Sequence, residues 1–264
     1  MGLQFCSLAS GSSGNSYIVK TEETLLVVDA GISCRKIING IEAIGCTMEE
    51  ADGVLLTHEH IDHVKSVGTV CKKLSNARFY ASAGTFIDIE EKIPEERRTV
   101  ITAGSAFTIG DIEVKPFHLS HDAKETTGYA FHCEGKSIAI VTDTGVVTEE
   151  IHDHVASADI LVLEANHDVE MLRFGRYPYM VQQRILGEFG HLSNDLAAEE
   201  LKRIFREDGK YRQVFLAHLS KENNFPELAL QTIKNALDEE NLMIGRDLGL
   251  EILPRDTQSA LYVL

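Results

Sequence analysis

The run Val54-Leu55-Leu56-Thr57-His58-Glu59-His60-Ile61-Asp62-His63 restricts this chain more than any other stretch. Its apolar triplet reads as a buried strand, and after it Val64, Val67, Cys71 and Leu74 recur at helical spacing, so the order strand, loop, helix is expected. The loop carries three imidazoles and a carboxylate within six positions. Alternate residues His58 and His60 can converge on one cation. Asp62 and His63 can reach a second about 4 Å away, the separation of dinuclear hydrolytic sites. Surface histidines at a helix start would account for one imidazole, not for this ordered set. Imidazole and carboxylate donors suit zinc, manganese or iron, and affinity alone does not choose among them.

A dinuclear site needs further donors from other strand ends. The predicted strand Ile112 to Phe117 is followed by His118 and His121, which compete for one role. Asp143 follows the apolar run Ile138 to Val141, and His218 follows Val214 to Ala217. Asp143 can bridge two cations through one carboxylate, which a neutral imidazole cannot, although a turn or helix-cap Asp is a common structural role. Further strands are expected at Leu3 to Cys6, Ser16 to Val19, Leu25 to Val28, Arg78 to Ala81, Gly128 to His132 and Ile160 to Leu163. Helices are expected at Asn194 to Phe205, started by Ser193 or Asn194, and from Pro226 to Asp238. With no Pro/Gly/Ser-rich linker and no internal repeat, residues 1–264 are expected to form a single α/β domain.

Charge bears on the substrate. Twenty-five Lys and Arg against 41 Asp and Glu leave a net charge of −16, so bulk electrostatics cannot attract nucleic acid. Any basic surface must be local, from Lys72-Lys73, Arg97-Arg98, Lys202-Arg203 and Arg173 to Arg176, provided these share a face. Phe174, Tyr177 and Tyr179 beside those arginines either stack on bases or belong to the core. The five cysteines are scattered and never in a Cys-x-x-Cys pair, which points to reduced thiols. There is no long uncharged apolar stretch, and Met1 to Ser10 lacks the basic flank of a signal peptide, so cytoplasmic residence and no membrane association are expected.

The segments Val27 to Gly31 (VVDAG), Thr57 to His63 (THEHIDH), Ser120 to Asp122 (SHD), Thr142 to Gly145 (TDTG) and Ala217 to Ser220 (AHLS) together resemble the metallo-β-lactamase superfamily. The resemblance implies a four-layer αβ/βα sandwich of two mixed sheets flanked by helices. It favours His121 over His118, because the family's histidine there precedes Asp. It implies that His58, His60 and His121 hold one divalent cation, that Asp62, His63 and His218 hold the other, and that Asp143 bridges, with zinc or manganese, or else iron, as the ions. Ser10 to Ser16 (SGSSGNS), Asn166-His167-Asp168, Gly190 to Asn194 (GHLSN) and His218 to Asn224 are similar to the WalJ (YycJ) group of that superfamily. That group implies a phosphodiesterase digesting double-stranded DNA 5′ to 3′ by attack of a metal-bridging hydroxide, with duplex ends as the partner. The short interval between Asp143 and His218 leaves no room for the large cap of the RNA-processing relatives.

Beyond the cations, Asp62 is expected to orient the attacking water. Gly190-His191 resembles the histidine segment of the superfamily's phosphodiesterase branches, which implies that His191, paired with Glu164, protonates the leaving group; a helix-start histidine or a further ligand is the alternative. Asp29 is expected to orient a ligand imidazole. Ser12, Ser13 and Asn15 either cradle a phosphate or form a hairpin turn. Asn166, Lys221, Asn223 and Asn224 are candidates for substrate contact, against a solvated loop. His152 and His154 read as surface residues, His132 as a core or edge residue, and His167 is undecided. The competing functions are a small-molecule metallo-hydrolase of lactones, thioesters, β-lactams or cyclic phosphodiesters, and a noncatalytic module closed around its metals. No protein partner or oligomeric state is legible.

Overall fold

In the computed structural model, which describes residues 2–264, the chain carries two mixed seven-stranded sheets flanked by helices. Met1 lies outside the described residues. The fold divides into two compact units. The first comprises the residues up to His118, Ala123–Ser137 and Pro254–Leu264; the second comprises Leu119–Asp122 and Ile138–Leu253.

In the first unit, β1 (Gln4–Ala9), β2 (Ser16–Lys20) and β3 (Leu25–Val28) pair antiparallel. The ladder then turns parallel through β4 (Ala51–Leu55), β5 (Arg78–Ala81) and β6 (Arg98–Val100). The crossovers carry the helices α1 (Cys34–Ala43), α2 (Ile61–Val64), α3 (Val67–Lys73) and α4 (Ala83–Ile87). Ile37, Ile41, Val67 and Val70 seat these helices on Val27, Val54 and Phe79 in one apolar core, which explains why the parallel strands read as unbroken apolar runs. The same unit holds an antiparallel meander, β7 (Phe107–Ile109), β8 (Ile112–His118) and β9 (Thr127–Cys133).

The second unit is built on a parallel ladder of β10 (Lys136–Val141), β11 (Ile160–Glu164), β12 (Arg212–Ala217) and β13 (Leu248–Ile252). Five helices follow in order: α5 (Glu149–Ser157), α6 (Val169–Phe174), α7 (Tyr179–Leu186), α8 (Asn194–Asp208) and α9 (Pro226–Glu239). The Ser193 hydroxyl caps α8 by accepting from the Leu196 N–H, and Pro226 opens α9 where no amide donor is needed. A short C-terminal strand, β14 (Tyr262–Val263), pairs with β1 in the first unit.

Several expectations change. The single helix expected after the histidine loop is two helices, because Ser66 turns both its N–H and its hydroxyl onto the Ala30 carbonyl and interrupts the run. His152 is buried, not a surface residue: its two ring nitrogens meet Glu200 at 2.6 Å and Glu207 at 2.8 Å. Two of the expected basic groups are engaged internally. Arg97 donates to the Ala77, Cys71 and Leu74 carbonyls and covers the Phe79 ring, and Lys202 is buried against Glu199. Phe174 and Tyr179 are exposed, which removes the core reading for both. All five cysteines are free thiols. No helix among the described residues is long and apolar enough to cross a membrane.

Candidate metal centre

The histidine loop leaves the C-terminal end of β4 and is pinned from below by one carboxylate. Asp29, just past β3, is fully buried and accepts the Thr57 N–H at 2.9 Å and the Thr57 hydroxyl at 3.0 Å. His63 Nδ1 donates to its second oxygen at 2.7 Å. With its hydroxyl proton committed to Asp29, Thr57 Oγ1 accepts from His58 Nδ1 at 3.0 Å. Both buried imidazoles therefore carry the proton on Nδ1 and keep the Nε2 lone pair as the ligating atom, the arrangement typical of metal-binding histidines. Burial pushes the Asp29 carboxyl up, against the pull of His63 and Thr57 in the opposite direction.

The three rings of the loop cluster, with His58 4.6 Å from His60 and 4.2 Å from His63 between centroids. Asp62, partly exposed, places a carboxylate oxygen 3.7 Å from His63 Nε2. Asn15 is buried and donates from Nδ2 to that same nitrogen at 3.1 Å, consistent with its being the lone-pair nitrogen. The N-terminal serine–glycine loop is a turn closed by the Gly14 N–H on the Gly11 carbonyl, and Ser12 and Ser13 point outward, exposed. Close approach of the two loops requires Gly31: a Cβ there would stand 1.6 Å from the Asp62 carbonyl oxygen.

The second unit gathers its donors from four strand ends and one loop. His118 ends β8 exposed, whereas His121 is buried and donates from Nδ1 to the Gly190 carbonyl at 3.0 Å. Burial holds the His121 imidazole below its usual value, so it stays neutral and able to ligate. Asp143 follows β10, and its Oδ1 lies 3.9 Å from His121 Nε2, 3.7 Å from His191 Nδ1 and 3.4 Å from His218 Nδ1. Glu164, the last residue of β11, is the organising group. Its Oε1 accepts from His191 Nδ1 at 2.9 Å and from His218 Nδ1 at 2.8 Å; its Oε2 accepts the Thr144 and Leu192 amides at 3.0 and 3.1 Å. Burial alone would raise this carboxyl, but the two histidines outweigh it and bring it down to about 2. The same contact raises His191, against the effect of burial.

Asp143, Glu164, His191 and His218 present ligand atoms within 4.8 Å of one another. Glu164 already accepts four hydrogen bonds, which makes it the orienter of two imidazoles in preference to a metal ligand. The donor sets of both units fit divalent cations in chemistry: His58 and His63 in the first, His121 and His218 in the second, are fixed through Nδ1 with carboxylates beside them.

The remaining candidates support the His218 loop. Asn166 donates to the His218 carbonyl at 2.9 Å, and the buried Asn224 donates to the Ala165 carbonyl at 2.9 Å and to Asn194 Oδ1 at 2.8 Å. Asn223 is buried too, so the solvated-loop reading holds only for the exposed Lys221. His167, undecided from sequence, is buried, and that burial lowers it to about 4. Sequence reasoning missed Thr57, although it directly precedes the motif, and the Gly190 carbonyl, which no side-chain pattern could reveal.

Three of these residues adopt left-handed backbone, Asp29 at φ 63° in the first unit, and Asp143 at φ 67° and His218 at φ 55° in the second. Each follows a strand, so the strained turn aims the side chain back over the strand end.

Residues 24–218 match the family described as Beta-lactamase superfamily domain. The chain is 39% identical to Exodeoxyribonuclease YycJ of Bacillus anthracis over 93% of each chain. It is 38% identical to Exodeoxyribonuclease WalJ of Streptococcus pneumoniae, over 99% of this chain and 98% of that one. Among solved structures, the metallo-beta-lactamase fold protein YhfI of Bacillus subtilis superposes with a TM-score of 0.73 at 14% identity, covering 99% of both chains. The two mixed sheets, the histidine loop and this match over most of the sequence place the chain in the beta-lactamase superfamily.

Proposed function

We propose that this protein is a metal-dependent nuclease that hydrolyses DNA phosphodiester bonds, acting 5′ to 3′ on double-stranded DNA. The observation that carries this reading is the likeness, at 38–39% identity over nearly the whole chain, to two curated exodeoxyribonucleases. We read residues 1–264 as one catalytic domain in the cytoplasm, without a large cap.

In this reading His58, His60 and His121 hold one divalent cation, Asp62, His63 and His218 hold a second, and Asp143 serves both, with zinc or manganese as the ions and iron as the third choice. The support is the chemistry of each donor set taken by itself. When bound, such ions supply Lewis-acid activation of water and neutralise charge on the phosphate. Asp29 and Thr57 keep His63 and His58 in the ligating tautomer, and Glu164 does the same for His218. Asp62 accepts a proton from the attacking water. His191, raised by Glu164 and partly open to solvent, donates a proton to the departing 3′ oxygen. Ser12, Ser13 and Lys221, all exposed, are assigned to the DNA backbone, and Asn15, Asn166, Asn223 and Asn224 position the loops behind them.

The test is to strip the protein with chelator, restore Mn or Zn, and offer 5′-phosphorylated duplex DNA beside bis-p-nitrophenyl phosphate and nitrocefin. Degradation of the duplex that depends on metal supports the nuclease. Turnover of nitrocefin alone moves the assignment to a small-molecule hydrolase, and no turnover of any substrate leaves a binding module.

A further inference from the structure

The helix α7 buries none of its residues. A two-turn helix in water is not stable by itself, because helices in proteins depend on packing an apolar face. Here its C-terminal end is tied to the candidate site. The Arg184 guanidinium pairs with Asp122, next to His121; the His191 N–H donates to the Ile185 carbonyl at 3.0 Å, and the Asp122 N–H donates to the Phe189 carbonyl at 3.0 Å. The helix is thus held in place by the segments that carry two of the site's imidazoles while its apolar side chains face outward. Tyr179 is 70% exposed, Met180 76% and Phe189 62%, and Phe174 at the end of α6 reaches 85%. Arg173 and Arg176 stand exposed among them in a chain of net charge −16.

Aromatic rings alternating with arginines form the surface that takes unpaired nucleotides: rings stack on base faces whatever the base, and guanidinium groups meet the phosphates. We infer that the α6–α7 segment is a stacking platform for unpaired bases at the DNA end under digestion, with Phe174 and Tyr179 as the stacking rings and Arg173 and Arg176 on the backbone. The inference rests on the nuclease reading. DNA fits this face better than a protein does, because Arg173, Arg176 and Arg184 outnumber Glu170 and Glu188 there in a chain of net charge −16, with Arg173 pairing Glu170 at 3.5 Å, and the chain runs directly from Phe189 into His191.

The experiment uses metal-loaded protein and phosphorothioate duplexes, one blunt and one with a short unpaired 5′ tail, with affinity read by fluorescence anisotropy. Phe174→Ala combined with Tyr179→Ala is expected to weaken binding of the tailed duplex roughly tenfold and of the blunt duplex less. Arg173→Ala with Arg176→Ala is expected to weaken both and to flatten the salt dependence. Melting temperature and hydrolysis of bis-p-nitrophenyl phosphate, which has no bases to stack, stay at wild-type values in both variants. Wild-type affinity of the aromatic variant for tailed DNA overturns the platform while leaving the nuclease reading intact; the face then belongs to a protein partner or a second copy. A wild-type protein that binds neither duplex overturns both.

Discussion

The two units present their donors in opposite ways. In the first, His58, His60, Asp62 and His63 lie within six positions, and one buried carboxylate, Asp29, holds His63 directly and His58 through Thr57. In the second, His121, Asp143, Glu164, His191 and His218 are spread over most of that unit's sequence, and Glu164 ties His191 and His218 through a single oxygen. A compact motif gets its geometry from one loop and one anchor. A dispersed set gets it from the parallel ladder β10-β11-β12, whose strand ends bring Asp143, Glu164 and His218 side by side. The dispersed set should therefore depend more heavily on its organiser.

That difference can be broken by exchanging the organisers for their amides. Glu164→Gln removes the charge that holds two imidazoles, and metal affinity and duplex degradation are expected to fall about 100-fold, measured by competition with a chelating dye and by exonuclease rate. Asp29→Asn holds one imidazole directly, so its loss should lie nearer tenfold. Equal losses in the two variants would remove the distinction between the units.

His152 too is a buried histidine held by carboxylates, yet it lies on α5 and faces α8, outside both donor sets. Burial pulls its imidazole down, but Glu200 and Glu207 prevail and raise it above the usual value. A raised folded-state value means the contribution to stability is complete below about pH 6.5 and is lost as pH rises through that raised value. His152→Gln should therefore cost about 2 kcal/mol at pH 6 and less at pH 9 by calorimetry, with metal content unchanged. The smallest effect belongs to the exposed Ser12 and Ser13. Replacing both by Ala should raise KM for DNA roughly threefold, the worth of one modest hydrogen bond, and leave kcat and melting temperature alone.

The contrast between the units also explains what could be read from the letters. The histidine loop declared itself because its chemistry is dense, and β3, β4, β10, β11 and β12 declared themselves because parallel strands buried on both faces are continuous apolar runs. β6, β7 and β14 escaped, being two or three residues long with no room for a period to show, and the five-residue β13 (Leu248–Ile252) escaped although its apolar residues alternate. His121 was separable from His118 only by resemblance; the structure adds the physical distinction, one buried and hydrogen-bonded to the Gly190 carbonyl, the other exposed. His152 was misread because its charged neighbours suggested a solvated face, while its carboxylate partner Glu200 lies 48 positions away on α8. The solvated-loop alternative for Asn224 failed for a related reason: a buried amide that closes a loop onto the distant Ala165 carbonyl and Asn194 side chain looks, in sequence, like any polar loop residue.

Metal-dependent degradation of DNA is expected to need both donor sets, the compact one of the first unit and the dispersed one of the second. Metal content per chain in the wild type, His58→Ala and His218→Ala, read by elemental analysis alongside duplex degradation, tests it most directly. Two divalent ions per wild-type chain are expected, about one fewer in each variant, with degradation lost in both. Full metal content in either variant, or duplex degradation that persists in excess chelator, would contradict it.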